Sequence, residues 1–228
     1  MRHAVLGAGE VGTAIAAVLQ DCYEVLLHDI GAKPEPVQVL HICFPYSDGF
    51  ENAVRAYQRA YQPQLTIIHS TVPVGTSSRL KAVHSPVTGR HPHLEQSVRT
   101  FTKFFGGRRA SEAAEIFAAC HIRTYSTPKA ETTEAGKLWQ TLQYGWLIAL
   151  QKECYRFCEE NGADPVIAYT AMNEAYNHGY LALGDSFSLP ILKDMAGPIG
   201  GHCVIPNTAL TPSTVAGWLA HLNDEWSA

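Results

Sequence analysis

Three short stretches combine residue types that could do chemistry. In "GPIGGHCVIPN", Gly197 to Asn207, the thiol of Cys203 stands beside His202 among glycines. An unperturbed thiol is only a few per cent thiolate at neutral pH. A neighbouring imidazole, ammonium or set of loop N–H groups raises that fraction toward a usable nucleophile. In "RHPH", Arg90 offers a two-pronged grip on a carboxylate or phosphate, and His91 and His93 offer donors or an acid/base group near neutrality. In "GAGEVG", Gly7 to Gly12, the spacing is GxGxxG. There Gly7 permits a tight turn, Gly9 lets backbone approach a pyrophosphate, and Gly12 lets helix and strand touch. Each stretch also has a plainer reading: a buried structural thiol, a polar loop stiffened by Pro92, and a glycine turn.

The elements around the glycines favour chemistry at that point. A strand, "HAVLG", precedes them and an apolar-periodic helix, Val11 to Leu19, follows. A second strand, "YEVLLHD", ends on Asp29, which would accept hydrogen bonds from an adenosine ribose and repel a 2′-phosphate. The helix N-terminus offers N–H groups and a positive dipole to phosphates. The pattern predicts a dinucleotide cofactor, NAD in preference to NADP; FAD is disfavoured because no second flavin-contacting feature is evident.

Further on, short apolar runs alternate with helical patterns, as in a parallel α/β sheet. Strands are expected at "VQVLHICFP", "LTIIHST", "TKFFGG" and "IRTYS", with helices over Gly49 to Tyr61, Thr76 to Ala82 and Ala110 to Cys120. The stretch "SPVTGRHPHLEQ" is expected to be irregular. From about Thr132 to 160 the spacing predicts one helix of about 40 Å, at ~1.5 Å per residue. Leu138, Leu142, Gly145 and Ala149 trace its apolar stripe. Gly162 can cap it and Pro165 can begin the next helix. The fold class is therefore α/β, a Rossmann-type doubly wound sheet followed by a smaller all-α domain with one long helix. The expected domains are 1–128, binding NAD, and 129–228, helical, for substrate and dimerisation.

Composition narrows the functional classes. The 228 residues are 46% hydrophobic and 17% charged with a formal net charge of −4, which gives no hint of a nucleic-acid groove or a polybasic membrane patch. No apolar run approaches the ~20 residues that span a bilayer. The N-terminus lacks a signal-peptide pattern, so a cytoplasmic location with reduced thiols is expected. A metal at "RHPH" would need more ligands nearby, and none is expected.

Four segments carry a resemblance. "STVPVGTS" (Ser70 to Ser78), "EAGKLWQTLQYGWLIALQKE" and "GPIGGHCVIP" resemble segments of the UDP-glucose/GDP-mannose dehydrogenase superfamily, in family order. The last is closest to the UDP-N-acetylmannosamine dehydrogenase branch. "SPVTG…FFGG" looks more like the substrate loop of the related β-hydroxyacid dehydrogenases, within the wider 6-phosphogluconate dehydrogenase clan. The resemblance implies Lys137 as the catalytic lysine, Cys203 as a nucleophile forming a thiohemiacetal with an aldehyde, and Thr71 as a catalytic neighbour; Thr141, one turn after Lys137 on the same helix face, can add a hydroxyl. It implies cofactor contacts from Gly7, Gly9, Glu10, Val11, Gly12, Asp29, Pro45 and Thr71. Substrate contacts are expected from Arg90, His91, His93, His202 and Asn207.

Three family positions differ. A glutamate falls on Val87, an asparagine on Thr141, and an aspartate on Asn207. The family's C-terminal nucleotide-sugar-binding domain has no counterpart in this sequence, which points to a smaller substrate. The leading expectation is an NAD-dependent dehydrogenase acting on CH–OH groups. It would oxidise a hydroxyl, or reduce a carbonyl, on a small anionic or sugar-like molecule. A two-electron β-hydroxyacid-type enzyme without covalent catalysis and a non-catalytic NAD-binding sensor or assembly protein remain alternatives. A homodimer through the helical domain is expected from resemblance to short superfamily members.

Overall fold

The computed structural model describes residues 1–29, 31–201 and 203–227. The chain forms two compact units, Met1–Leu138 and Trp139–Ala228, divided within a long helix.

In the first unit the strands are β1 (Arg2–Leu6), β2 (Glu24–His28), β3 (Val39–Ile42), β4 (Leu65–Ile68), β5 (Val83–His84), β6 (Lys103–Gly106) and β7 (Thr124–Thr127). They form one sheet in the order β2-β1-β3-β4-β5-β6-β7. The helices are α1 (Glu10–Leu19), α2 (Phe50–Tyr61), α3 (Thr76–Arg79), α4 (Leu94–Thr100) and α5 (Ala110–Ala119). Alternation along the central strands sorts side chains to two faces. Val5, Val39, Ile67 and Phe105 pack with α1, α4 and α5, whereas Ala4, Leu6, Leu40, Ile42 and Ile68 pack with Phe50, Val54 and Tyr61 of α2. Both faces are covered, so β3 and β4 are buried along their whole length, as parallel strands require.

Three expectations are corrected. The β5–β6 pair is antiparallel, joined at His84 and Gly106, so the sheet is not parallel throughout. The stretch read as irregular leads into α4, whose Leu94 and Val98, four apart, pack onto α1. The helix expected to reach Ala82 stops at Arg79, and Lys81 just beyond it has a positive φ of 53°.

Helix α6 runs from Ala130 to Glu160. Leu138, Leu142, Gly145 and Ala149 are all buried along it, and Gly162, with φ of 67°, ends it as expected. In the second unit a π-helical turn (Val166–Ala171) continues into α7 (Met172–Ala182), followed by α8 (Val204–Thr208) and α9 (Thr214–Glu225). Its core is Leu142, Ala149, Ile199, Val204, Ala216 and Leu219. Ser213 caps α9, its Oγ accepting the Ala216 N–H. Among the described residues no helix is long and apolar enough to cross a membrane.

Candidate functional site

Loops at the carboxyl ends of β1, β3, β4 and β5 carry most of the expected site residues of the first unit. The strand order reverses between β1 and β3, where open α/β sheets hold ligands. Gly7 turns the chain there with φ of 99°, and its N–H bonds the His28 carbonyl at 2.9 Å. A Cβ at Gly12 would lie 1.8 Å from the Gly7 oxygen, so helix and turn are in backbone contact. Gly9 differs: among the described residues its Cβ would meet nothing within 4 Å, and as the N-cap of α1 it supplies no side chain to the N–H groups behind it. An open backbone surface facing an uncapped helix start fits a phosphate group. Val11 packs against the core, and Asp29 is exposed one residue past β2.

Pro45 is exposed in the loop after β3. Ser70 Oγ donates to the Phe44 carbonyl at 2.6 Å, tying that loop to the one carrying half-buried Thr71. The following "VPVGTS" turn is held by Glu134, a fully buried carboxylate whose oxygens accept N–H groups of Gly75 at 2.6 Å and Ser77 at 2.8 Å. Bonds of this charge-assisted kind are about twice as strong as neutral ones. On the same turn of α6, Thr133 Oγ1 lies 2.8 Å from His84 Nδ1. His84 Nε2 lies 3.2 Å from the Ser70 carbonyl and so must donate to it. Burial first, and the charges of Lys103 and Lys137 after it, push the His84 pKa down to about 3, leaving the ring neutral.

Those anchors fix Lys137 one turn further along. Its Nζ donates to the Val87 carbonyl at 2.9 Å. The Val87 side chain lies in the core cluster with Leu94 and Val98, so this position presents a carbonyl oxygen to the lysine rather than an acid.

Arg90, His91 and His93 are all exposed. His93 precedes α4 and its carbonyl accepts from Ser97, while the Arg90 N–H donates to Ser97 Oγ. His91 Nδ1 lies 2.5 Å from Glu10 Oε2, which joins an expected substrate contact to an expected cofactor contact at the start of α1. The 90–93 loop therefore borders the glycine turn.

The remaining expected residues belong to the second unit. Thr141 is buried on α6, Cys203 is exposed immediately before α8, and Asn207 is half-buried within α8, where its carbonyl accepts from Thr211 Oγ1. His202 lies outside the described residues. The exposure of Cys203 removes the reading of a buried structural thiol.

Sequence reasoning missed Glu134, His84 and Lys103. Lys103 is buried, donates to the Ser85 and Pro86 carbonyls, and has its pKa pushed down to about 7 by burial. Only Glu134 left a usable trace, an acid three residues before Lys137 in a stretch with helical spacing.

No protein-family model matches the chain, and no curated protein does. Solved structures do. The UDP-D-ManNAc dehydrogenase of Pyrococcus horikoshii superimposes with a TM-score of 0.83 at 18% identity, over 99% of this chain and 69% of that one. The UDP-N-acetyl-mannosamine dehydrogenase of Staphylococcus aureus gives 0.75 at 16% identity, over 99% and 68%. A UDP-glucose dehydrogenase from Pyrobaculum islandicum gives 0.74 at 16% identity, over 98% and 68%. The chain is similar to these enzymes in fold.

Proposed function

We propose that this chain is a member of the UDP-glucose/GDP-mannose dehydrogenase superfamily and an NAD-dependent oxidoreductase. It would act on a hydroxyl, or on the corresponding carbonyl, of a small anionic or sugar-like molecule. The observation that carries the reading is the geometry at the carboxyl end of β1. Two glycines there are forced by backbone contact or positive φ, while the third, Gly9, faces open space at an uncapped helix start. The exposed Asp29 past β2 is suited to the ribose hydroxyls and supports NAD over NADP. The fold likeness to three nucleotide-sugar dehydrogenases supports the reaction class.

The cofactor, when bound, supplies hydride transfer. The chain's part is to orient and polarise the substrate. Lys137, anchored through Thr133, Glu134 and Val87, is proposed to hydrogen-bond the reacting oxygen and stabilise alkoxide charge. Thr71, on the loop tied down by Ser70, is assigned beside it, with Arg90, His91 and His93 as contacts for an anionic group. Cys203 is the proposed nucleophile for an aldehyde, with Thr141, His202 and Asn207 as its supporting residues. Its thiolate would add to the carbonyl carbon, and loss of a hydride from the resulting thiohemiacetal to a second NAD+ would leave a thioester for water to hydrolyse.

A second reading is favoured by Val87. Its side chain is part of the core, so no acid stands there to activate water for thioester hydrolysis. That favours a single two-electron step using Lys137 alone. The experiment is to count NADH per substrate across nucleotide sugars and 3-hydroxy acids, in wild type and Lys137→Ala. Two NADH with a trappable thioester supports covalent catalysis; one supports the second reading. Turnover unchanged in Lys137→Ala, with NAD affinity intact, would remove the lysine from both.

We also infer a homodimer through the helical unit. Val166, Ile167, Met172 and Leu181 are each more than half exposed, and neither the π-helical turn nor α7 buries a residue within the chain. A monomer in light scattering would contradict this.

A further inference from the structure

Three histidines form a continuous buried chain across the central strands, on the sheet face covered by α5. His3 Nδ1 lies 2.9 Å from His41 Nε2, His41 Nδ1 lies 3.0 Å from His69 Nε2, and His69 Nδ1 lies 2.8 Å from the Ser85 carbonyl. The ring planes differ by 20° and 5° in the two pairs, and Phe117 of α5 lies edge-on to His41 and His69. Residue exposures are 0% for His3 and His41 and 3% for His69.

The carbonyl at one end fixes the polarity of the whole chain. It can only accept, so His69 carries its proton on Nδ1 and accepts at Nε2. His41 must then donate from Nδ1 and accept at Nε2, and His3 must do the same toward His41. All three rings are therefore Nδ1–H tautomers, and the chain terminates in the lone pair of His3 Nε2, which is buried and has no hydrogen-bond partner among the described residues. A proton added at Nε2 of His41 or His69 would set N–H against N–H. Only His3 Nε2 can take one without breaking a bond, so the folded sheet accepts at most one proton where the opened chain accepts three.

The surroundings oppose even that one. The terminal amino group faces His3, Tyr23 packs against it at a tilt of 32°, and Lys103 faces both His41 and His69. His84 also faces His69. Lys103 in turn faces Cys43, whose thiol burial pushes up to about 12, and Lys137. Desolvation is the main cause holding all three imidazoles neutral, with His3 down to about 4. Lys103 donates to the same Ser85 carbonyl that ends the chain, and Val87, two residues on, holds Lys137.

We propose that His3, His41 and His69 form a single-polarity imidazole chain that acts as a buried acid trigger, opening cooperatively on proton uptake and releasing the Ser85–Val87 segment. The inference rests on hydrogen-bond geometry and stands whether or not the chain is a dehydrogenase. Each histidine is protonated more readily in the opened form. The stability these three rings contribute is thus full above about pH 6.5, the unfolded histidine value, and falls as pH drops toward the folded values.

The experiment is nitrogen-15 NMR of the imidazoles at neutral pH, with unfolding equilibria between pH 6.5 and 5, above the range where carboxylates titrate. The expected result is an Nδ1–H tautomer on all three rings. The three rings should raise the unfolding constant by about a hundredfold to a thousandfold per pH unit, at tenfold per proton, and buried His84 adds up to one further proton. In His3→Phe that rise should lose about a factor of ten per pH unit, with the His41 and His69 tautomers unchanged. Should His3→Phe fail to fold, the wild-type tautomers and slope decide. An Nε2–H tautomer on any ring, or a slope of one proton or less, would overturn the proposal.

Discussion

Gly12 in the first unit and Gly145 in the second both stand where a methyl group would collide, but with different kinds of atom. At Gly12 the obstacle is the Gly7 backbone oxygen at 1.8 Å; at Gly145 it is the ends of Leu219 and Val204, each at 2.6 Å. Backbone at a strand end cannot yield, whereas aliphatic side chains can turn. The first unit therefore has a fixed geometry at its turn, and the second has a core that adjusts. This matches where the sequence carries sharp signals and where it does not.

The largest expected effect comes from breaking the rigid side. Gly12→Ala is expected to cost well above about 4 kcal/mol, the range of a disrupted core or strained backbone, read as loss of the cooperative unfolding transition. A variant that melts like wild type would mean the turn is adjustable after all.

Next is the pH dependence carried by Lys103. Burial lowers its folded pKa from the ordinary lysine value of 10.5 to about 7. The unfolded chain therefore binds more protons between those values, and stability must rise with pH across that window. The unfolding constant is expected to fall by up to tenfold per pH unit. Lys103→Met should flatten this rise and raise stability at pH 7. If wild-type stability is level across the window, the lysine is not held as described.

The smallest effect tests the adjustable side. Gly145→Ala is expected to cost about 1–2 kcal/mol in the unfolding of the helical unit, as Leu219 and Val204 shift. A loss as large as that of Gly12→Ala would erase the contrast between the units.

The same contrast explains what could be read in advance. The turn between β1 and α1 was legible because all its signals are local: a strand, three spaced glycines and an apolar helix within the first twenty residues. The stripe from Leu138 to Ala149 was legible because helical spacing alone defines it. Strand β5 was not, being two residues long and paired antiparallel through Gly106, a contact no local pattern announces. Nor was α4, where the prolines and histidines before it hid a short helix that Leu94 and Val98 nonetheless marked. The imidazole chain needed the register of three strands that are separate in sequence: His3 pairs with Val39, and His41 with Val5 and Ile67. The anchoring of Lys137 was equally remote, since Glu134 reaches residues 57 and 59 positions away. Lys137 itself was named by resemblance, and its support came only from the fold.

The account's central claim is that a nicotinamide dinucleotide sits over the glycine turn. Gly9 isolates it, because a side chain there meets nothing within 4 Å and its φ of −71° suits any residue. The direct measurement is calorimetric titration of NAD+ into wild type and Gly9→Val, with thermal unfolding as the control for folding. The predicted result is unchanged unfolding and an affinity for NAD+ weakened by at least about a hundredfold, or roughly 2.8 kcal/mol. Equal binding of NAD+ to both proteins, or no binding to wild type, would contradict the account.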